Sequence, residues 1–216
     1  EKVQEDRNRL GQFATPTKLS LDILNYAKTL IPNSEKIRLL DPAFGTGSFY
    51  SALLRSFPPS RIERASGYEI DPHYGAGASR LWEGTNLELH LADFTKVASP
   101  VLDSEKFNLV ICNPPYVRHH HLSAPDKTRL RQLVMSQTGF RLNGLAGLYC
   151  YFLLLAQCWM IPDGLAGWLI PSEFLEVNYG HEVKQFLLEK VTPLHIHRFN
   201  PQQTQFEDAL VSSVVV

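Results

Sequence analysis

The chain has 216 residues, 44% hydrophobic and 20% charged, enough for one α/β domain with a sizeable core and short for two. Its 21 Lys and Arg against 22 Asp and Glu leave a formal charge of −1, which excludes a uniformly basic glove for nucleic acid. Three cysteines, Cys112, Cys150 and Cys158, lie in apolar runs without CxxC or Cys/His spacing, as expected for buried reduced thiols in the cytosol rather than for metal or disulfide chemistry.

Residues 1–10 are charged and polar and are read as a disordered or capping segment. Gly11-Gln12-Phe13-Ala14-Thr15-Pro16 follows as a shaped loop, with Thr15 expected to cap a helix ahead of Pro16. Leu19, Ile23, Leu24, Ala27 and Leu30 recur at helical spacing. Ile37 to Asp41 reads as a buried strand, which enters the glycine turn Pro42-Ala43-Phe44-Gly45-Thr46-Gly47-Ser48, and Phe49 to Phe57 reads as helix. That order of strand, glycine loop and helix opens a nucleotide-binding βαβ unit.

Strands are expected next at Ala65 to Ile70, Glu88 to Ala92 and Phe107 to Cys112, with a helix from His73 to Trp82 between the first two. Val117 to Pro125 reads as a His-rich loop, Lys127 to Val134 as helix, and Leu145 to Met160 as a long buried helix. The apolar run 145–161 is the one membrane candidate, but Gln157 interrupts it and it is short for a span. Further strands are expected at Gly164 to Ile170, Leu194 to Phe199 and Ala209 to Val216, and a helix from Tyr179 to Glu189. The whole is read as a mainly parallel, doubly wound α/β sheet of Rossmann type with an antiparallel edge pair. The start without Met and the stop within Val214-Val215-Val216 are read as a fragment of a longer protein, residues 1–216 forming its catalytic domain.

In such sheets ligands bind beyond the carboxyl ends of the strands. Asp41, Glu69, Asp93 and Asn113 each stand at such an end. Gly45 and Gly47 lack the third glycine of a dinucleotide fingerprint, and no Lys-Ser/Thr follows, so pyrophosphate is disfavoured. Asp41 at the loop's mouth repels phosphate and suits an ammonium or sulfonium centre, the plainer alternative being a turn-capping Asp. Glu69 is placed to accept two ribose hydroxyls, unless it merely starts a helix that Asp71 could equally cap. Asp93 can accept from an adenine amino group while Phe94 or Ile70 packs on the ring, although alone it reads as a turn residue.

In Asn113-Pro114-Pro115-Tyr116 the Asn113 amide oxygen and the Pro114 carbonyl are two acceptors for one amino group. Two hydrogen bonds that favour a pyramidal nitrogen localise a delocalised lone pair toward an electrophile. Tyr116 stacks on the plane of the acceptor. His119-His120-His121 are consecutive on a loop and cannot all face one ion, so no metal is expected. They read first as a solvated loop and second as phosphate contacts beside Arg118, Lys127, Arg129 and Arg131. His195 and His197 share a strand face and are read as structural.

The ordered set of Gly11-Gln12-Phe13-Ala14-Thr15-Pro16, Asp41 to Gly47, Glu69, Asp93 and Asn113 to Tyr116 resembles the gamma-class N6-adenine DNA methyltransferases, the TaqI-like enzymes of restriction-modification systems. The resemblance implies S-adenosylmethionine as cofactor. Phe13 and Thr15 would close over its methionine part. Asp41, Pro42, Ala43, Gly45 and Gly47 would face its amino-acid end. Glu69 would take the ribose, while Ile70, Asp93 and Phe94 would meet the adenine. It further implies that Asn113 and Pro114 bind the target amino group, with Pro115 completing the motif, and that Tyr116 and Phe206 stack on a flipped base. Double-stranded DNA would be the partner, held mostly by a recognition domain beyond residue 216, with an endonuclease fused or paired, in a prokaryotic cytoplasm and away from membrane. Asn-Pro-Pro-Tyr is shared with glutamine and RNA methyltransferases, so those acceptors, and a non-catalytic binding subunit, stand as alternatives.

Overall fold

The computed structural model describes residues 11–176, 180–199 and 212–216. The chain divides into two compact units. The first holds residues 14–113 and 159–167. Its elements are α1 (Thr17–Leu30), β1 (Ile37–Asp41), α2 (Ser48–Ser56), β2 (Ile62–Tyr68), α3 (Pro72–Leu81), β3 (Leu87–His90) and β4 (Phe107–Cys112). β1 pairs in parallel with β2 and with β4, and β2 with β3. The strand order β3-β2-β1-β4 therefore reverses direction of growth at β1. That reversal is the switch point of a doubly wound sheet, where a crevice opens between adjacent strand ends.

Burial follows that position. β4 is buried at every residue, as a strand covered on both faces requires, and β3 at the edge alternates half-buried and exposed positions. Asn108 is the polar exception inside β4, and it is satisfied: its Oδ1 accepts from Arg38 N at 2.8 Å and its Nδ2 donates to Glu35 Oε1 at 2.7 Å. α1 packs on α2, and its buried apolar side chains are Ile23, Leu24 and Ala27. At Trp159 the chain returns beside β4, where Trp159 O accepts from Phe107 N at 2.9 Å.

The second unit contains residues 11–13, 114–158 and the described part of 168–216. It carries α4 (Ala124–Thr138), α5 (Leu148–Gln157), α6 (His181–Glu189), β6 (His197–Arg198) and β7 (Ser213–Val215), and it receives the end of β5 (Met160–Pro171). β7 pairs antiparallel with both β5 and β6, so the expected antiparallel edge is present. α4 packs on α5, and Phe140 meets Phe186 edge-on with ring centroids 5.6 Å apart.

Several limits differ from the expectations. α5 is ten residues long, not the full 145–160 run, because Asn143 closes a turn: its carbonyl accepts from Ala146 N and its side chain from Leu145 N. Every residue from Tyr149 to Ala156 is buried, so the helix has no polar face to mark its phase or its ends. β5 begins at Met160 and includes Asp163, whose φ of 60° is a left-handed conformation that an Asp before Gly164 tolerates. β6 shrinks to two residues. No helix among the described residues is long and apolar enough to cross a membrane. Cys112 and Cys150 are buried free thiols, and Cys158 is half-buried.

Candidate active site

The parallel strands of the first unit bring four predicted polar residues to one edge. Asp41 is the last residue of β1, Glu69 follows β2, Asn113 follows β4, and Asp93 lies beyond β3. β1 and β4, which flank the switch point, end in Asp41 and lead into Asn113.

The loop after β1 is built around Phe44. Its N–H donates to Tyr68 O at 2.8 Å, and its ring fills the space beside Gly67, where an added Cβ would stand 2.3 Å from it. Gly45 has a φ of 57° and open space where a Cβ would project, so its backbone is approachable. Glu69 fixes this loop. Its Oε2 accepts from Gly45 N at 2.8 Å and its Oε1 from Asp71 N at 2.7 Å. Asp71, not Glu69, caps α3, accepting from His73 N at 3.0 Å with Pro72 at the first position. Glu69 is thereby relieved of capping, and each of its oxygens keeps a second lone pair.

Asp41 is 1% exposed. Its Oδ1 accepts from Ala43 N at 3.2 Å, and its Oδ2 is buried without a partner. Burial pushes its pKa up to about 8, against the lowering effect of the Ala43 N–H and with the help of the Glu69 charge. Burial likewise raises Glu69, opposed by the Asp71 and Gly45 amides. A buried oxygen without a partner, next to a second buried carboxyl group and an open glycine backbone, suits a ligand that brings hydrogen-bond donors, and a cationic one favours the ionised form of Asp41 as it binds.

Asn113 Nδ2 donates to Thr15 Oγ1 at 3.1 Å. Thr15 was expected to cap α1. The helix instead starts at Thr17 after Pro16, whose ψ of 140° is extended, with no side-chain cap. The buried Thr15 hydroxyl is thus available to hold the Asn113 amide. With its NH2 side engaged there, the amide directs its oxygen the other way.

The second unit fixes Tyr116. Its N–H donates to Gly11 O at 3.0 Å and its hydroxyl to Leu169 O at 3.0 Å. Phe13 lies against its ring with centroids 5.5 Å apart and planes inclined by 51°. Gly11 has a φ of 63°, and a Cβ there would fall 2.4 Å from Tyr116 N. Only glycine permits that approach. Pro114 is buried, while Pro115 and Tyr116 are half-buried.

Other predicted residues divide. Asp93 serves its turn: Oδ1 accepts from Thr95 N at 3.0 Å and from Thr95 Oγ1 at 2.7 Å, and Oδ2 lies 3.5 Å from Lys96 Nζ. Ile70 is 65% exposed and available to a ligand, whereas Phe94 is buried edge-on against Tyr68 with ring centroids 5.5 Å apart. Pro42 and Gly47 are buried in the loop, and Ala43 is half-buried. Phe206 lies outside the described residues. His195 and His197 are both exposed, with stacked rings 6.3 Å apart. Among the described residues no group of His, Cys, Asp and Glu could hold a metal.

Two contributors carried no signal in the sequence. Trp82 Nε1 donates to Thr46 O at 3.0 Å while its ring meets Tyr50 edge-on at 5.0 Å, tethering the glycine loop from outside. The Leu169 carbonyl is a backbone atom that any residue would supply.

This fold is that of the class I S-adenosylmethionine-dependent methyltransferases: a Listeria monocytogenes protein assigned to that class superposes with a TM-score of 0.74 at 19% identity, over 100% of this chain and 61% of that one. The type IIG restriction endonuclease BpuSI superposes with a TM-score of 0.73 at 20% identity, over 94% of this chain and 25% of that one. The chain belongs to the Eco57I restriction-modification methylase family, whose model matches residues 60–205. Type II methyltransferase M.AccI of Acinetobacter calcoaceticus is 29% identical over 213 residues, 98% of this chain, and the chain spans 37% of that relative's length.

Proposed function

We propose that the chain is the catalytic domain of a restriction-modification DNA methyltransferase acting on the N6 amino group of a flipped-out adenine, with S-adenosylmethionine as cofactor. The observation that carries this is the Asn113 amide, held by Thr15 with its oxygen directed away, immediately before a proline carbonyl and an aromatic ring. The family and the M.AccI likeness support DNA as the substrate class.

Asp41 and the backbone at Ala43, Gly45 and Gly47 would hold the amino-acid end of the cofactor, with Thr15 and Phe13 near its methionine part. Glu69 would accept its ribose hydroxyls, and the exposed Ile70 side chain would pack on its adenine. Asp93 would accept from the adenine amino group only through the lone pairs its turn leaves, and Phe94 would support from behind through Tyr68 rather than touch the ring. When bound, the cofactor supplies an electrophilic methyl group. Asn113 Oδ1 and the Pro114 carbonyl accept the two N–H bonds of the target amine and favour a pyramidal nitrogen, a geometry reached in the transition state. Pro115 keeps that carbonyl free of a competing N–H. Tyr116, with its hydroxyl engaged by Leu169, presents a ring face for the base, which must leave the stack. Phe206 is proposed as the second stacking ring. Asn113 and Pro114 need not remove a proton before attack, because the amine becomes acidic once methylated and loses it afterwards.

The partner is double-stranded DNA, read for sequence by a domain other than this one, in a system that also holds an endonuclease. BpuSI, itself an endonuclease, shares the fold and supports that association. The decisive experiment is tritiated methyl transfer to DNA, protein and RNA, followed by nucleoside analysis. Label in N6-methyladenine is expected. Label in glutamine or RNA, or in cytosine, overturns the reading.

A further inference from the structure

Positive charge collects directly after Tyr116 and has no role so far. Residues 118–131 hold Arg118, Lys127, Arg129 and Arg131 against one acid, Asp126, in a chain of formal charge −1. Asp126 is committed within α4: it accepts from Ser123 Oγ at 2.6 Å and lies 3.8 Å from Arg129 Nε. Among the described residues no carboxylate forms an ion pair with Arg118, Lys127 or Arg131.

The fold gathers these groups in one unit. A single 3-10 turn, His119–His121, is closed by His121 N donating to Arg118 O at 3.0 Å and Leu122 N donating to His119 O at 3.1 Å. Leu148 N donates to Val117 O at 2.9 Å and ties the approach to this turn onto the start of α5. The ring of His120 lies 5.3 Å from His119 and 4.1 Å from His121. The charges felt by His120 beyond its own desolvation are all of one sign, from His121, His119, Arg118 and Lys127, and they depress its basicity. Lys127 and Arg131 stand one helical turn apart on one side of α4. Like charges brought together without acids cost free energy unless an anion answers them.

We propose that Arg118, the His119–His121 turn, Lys127 and Arg131 form a phosphate-contacting surface that receives the DNA backbone beside the base held at Tyr116. The proposal rests on the DNA reading above and deepens it. Arg118 is two residues from Tyr116, so their α-carbons are at most about 7 Å apart and the two side chains can meet one nucleotide. Arg118 offers a forked donor to phosphate oxygens, Lys127 and Arg131 offer charge, and the imidazoles offer ring N–H donors. The contacts position DNA and read no sequence.

The test is the triple variant Arg118→Gln, Lys127→Gln, Arg131→Gln in the full-length protein, with a labelled random-sequence duplex and genomic DNA as probes. The salt dependence of duplex binding, as the slope of log K against log salt, is expected to fall by roughly two to three units. The KM for genomic DNA is expected to rise about tenfold or more, the effect being carried by KM and not by kcat. Calorimetric titration with S-adenosylhomocysteine reports whether the cofactor side is intact. An unchanged slope and KM, in a variant that binds S-adenosylhomocysteine while the unmodified protein methylates DNA, overturns the surface alone. Absence of methyl transfer to DNA by the unmodified protein overturns the DNA reading and this surface with it.

Discussion

Asn113 Nδ2 donates to Thr15 Oγ1 at 3.1 Å, joining the end of β4 to the loop ahead of α1. The bond fixes the orientation of the Asn113 amide, and with it the side that the proposed target amine would meet. Thr15→Val keeps the shape and removes the oxygen. The kcat of methyl transfer is expected to fall about tenfold, the cost of one oriented hydrogen bond at roughly 1–1.5 kcal/mol. Thr15→Ser is expected to restore most of it. Steady-state kinetics on DNA for the two variants checks this, and equal rates would sink the orienting role.

Asn113→Ala removes the acceptor itself. Cofactor binding is expected to persist in calorimetry, while methyl transfer falls by about a hundredfold or more, the usual scale for losing a donor or acceptor made for the transition state. Normal turnover in this variant would contradict the mechanism.

Asp41 carries a pH signature. Its pKa in the fold, about 8, lies above its ordinary value of 3.8. The stability it contributes is therefore full below about pH 4 and drains as the pH rises through about 8, because the fold must then bury a charge. Asp41→Asn removes that charge. Its melting temperature is expected to exceed the unmodified protein's at about pH 9, by the equivalent of roughly 1–3 kcal/mol, and the gap to narrow steadily below about pH 8 and close only near about pH 4. The same variant is expected to lose affinity for the cofactor. A gap that is constant with pH would show that Asp41 does not titrate in this range.

Gly11→Ala places a methyl group 2.4 Å from Tyr116 N in a residue whose φ is 63°. Destabilisation of about 1–3 kcal/mol is expected, with a displaced Tyr116. Denaturant unfolding measures the first. Fluorescence of 2-aminopurine at the target position, less quenched than with the unmodified protein, measures the second.

The strand-end polar residues were legible where a strand closes on an apolar stretch, because the polar residue after it is conspicuous. Asp41 after Leu39-Leu40 and Asn113 after Leu109 to Cys112 came out this way, while Glu69, after a strand that holds Glu63, Arg64 and Ser66, stood out by its spacing from the glycine loop. Thr15 was legible as a residue of interest but not in its job: Thr-Pro is a good local cap signal, while the partner that claims its hydroxyl is 98 positions away. Either Glu69 or Asp71 could have capped the helix on sequence alone, and the bonds that Gly45 N donates to Glu69 and His73 N donates to Asp71 separate them. α5 had no phase because all of its central side chains are buried. The strand expected over 194–199 contracted because Leu194 and Ile196, 59% and 48% exposed, bury little that would hold a longer pairing.

The 98-residue separation of Thr15 and Asn113 has a consequence for the order of assembly. At about 5–20 residues per second, Asn113 is synthesised some 5–20 s after Thr15. The glycine loop and its two carboxylates, Asp41 and Glu69, precede it and are translated first. Until β4 is laid beside β1, a nascent chain lacks the clasp on the Asn113 amide. Closing that contact carries the loop-closure entropy of the intervening chain, and translation that stalls before β4 leaves Thr15 without the partner it has in the fold.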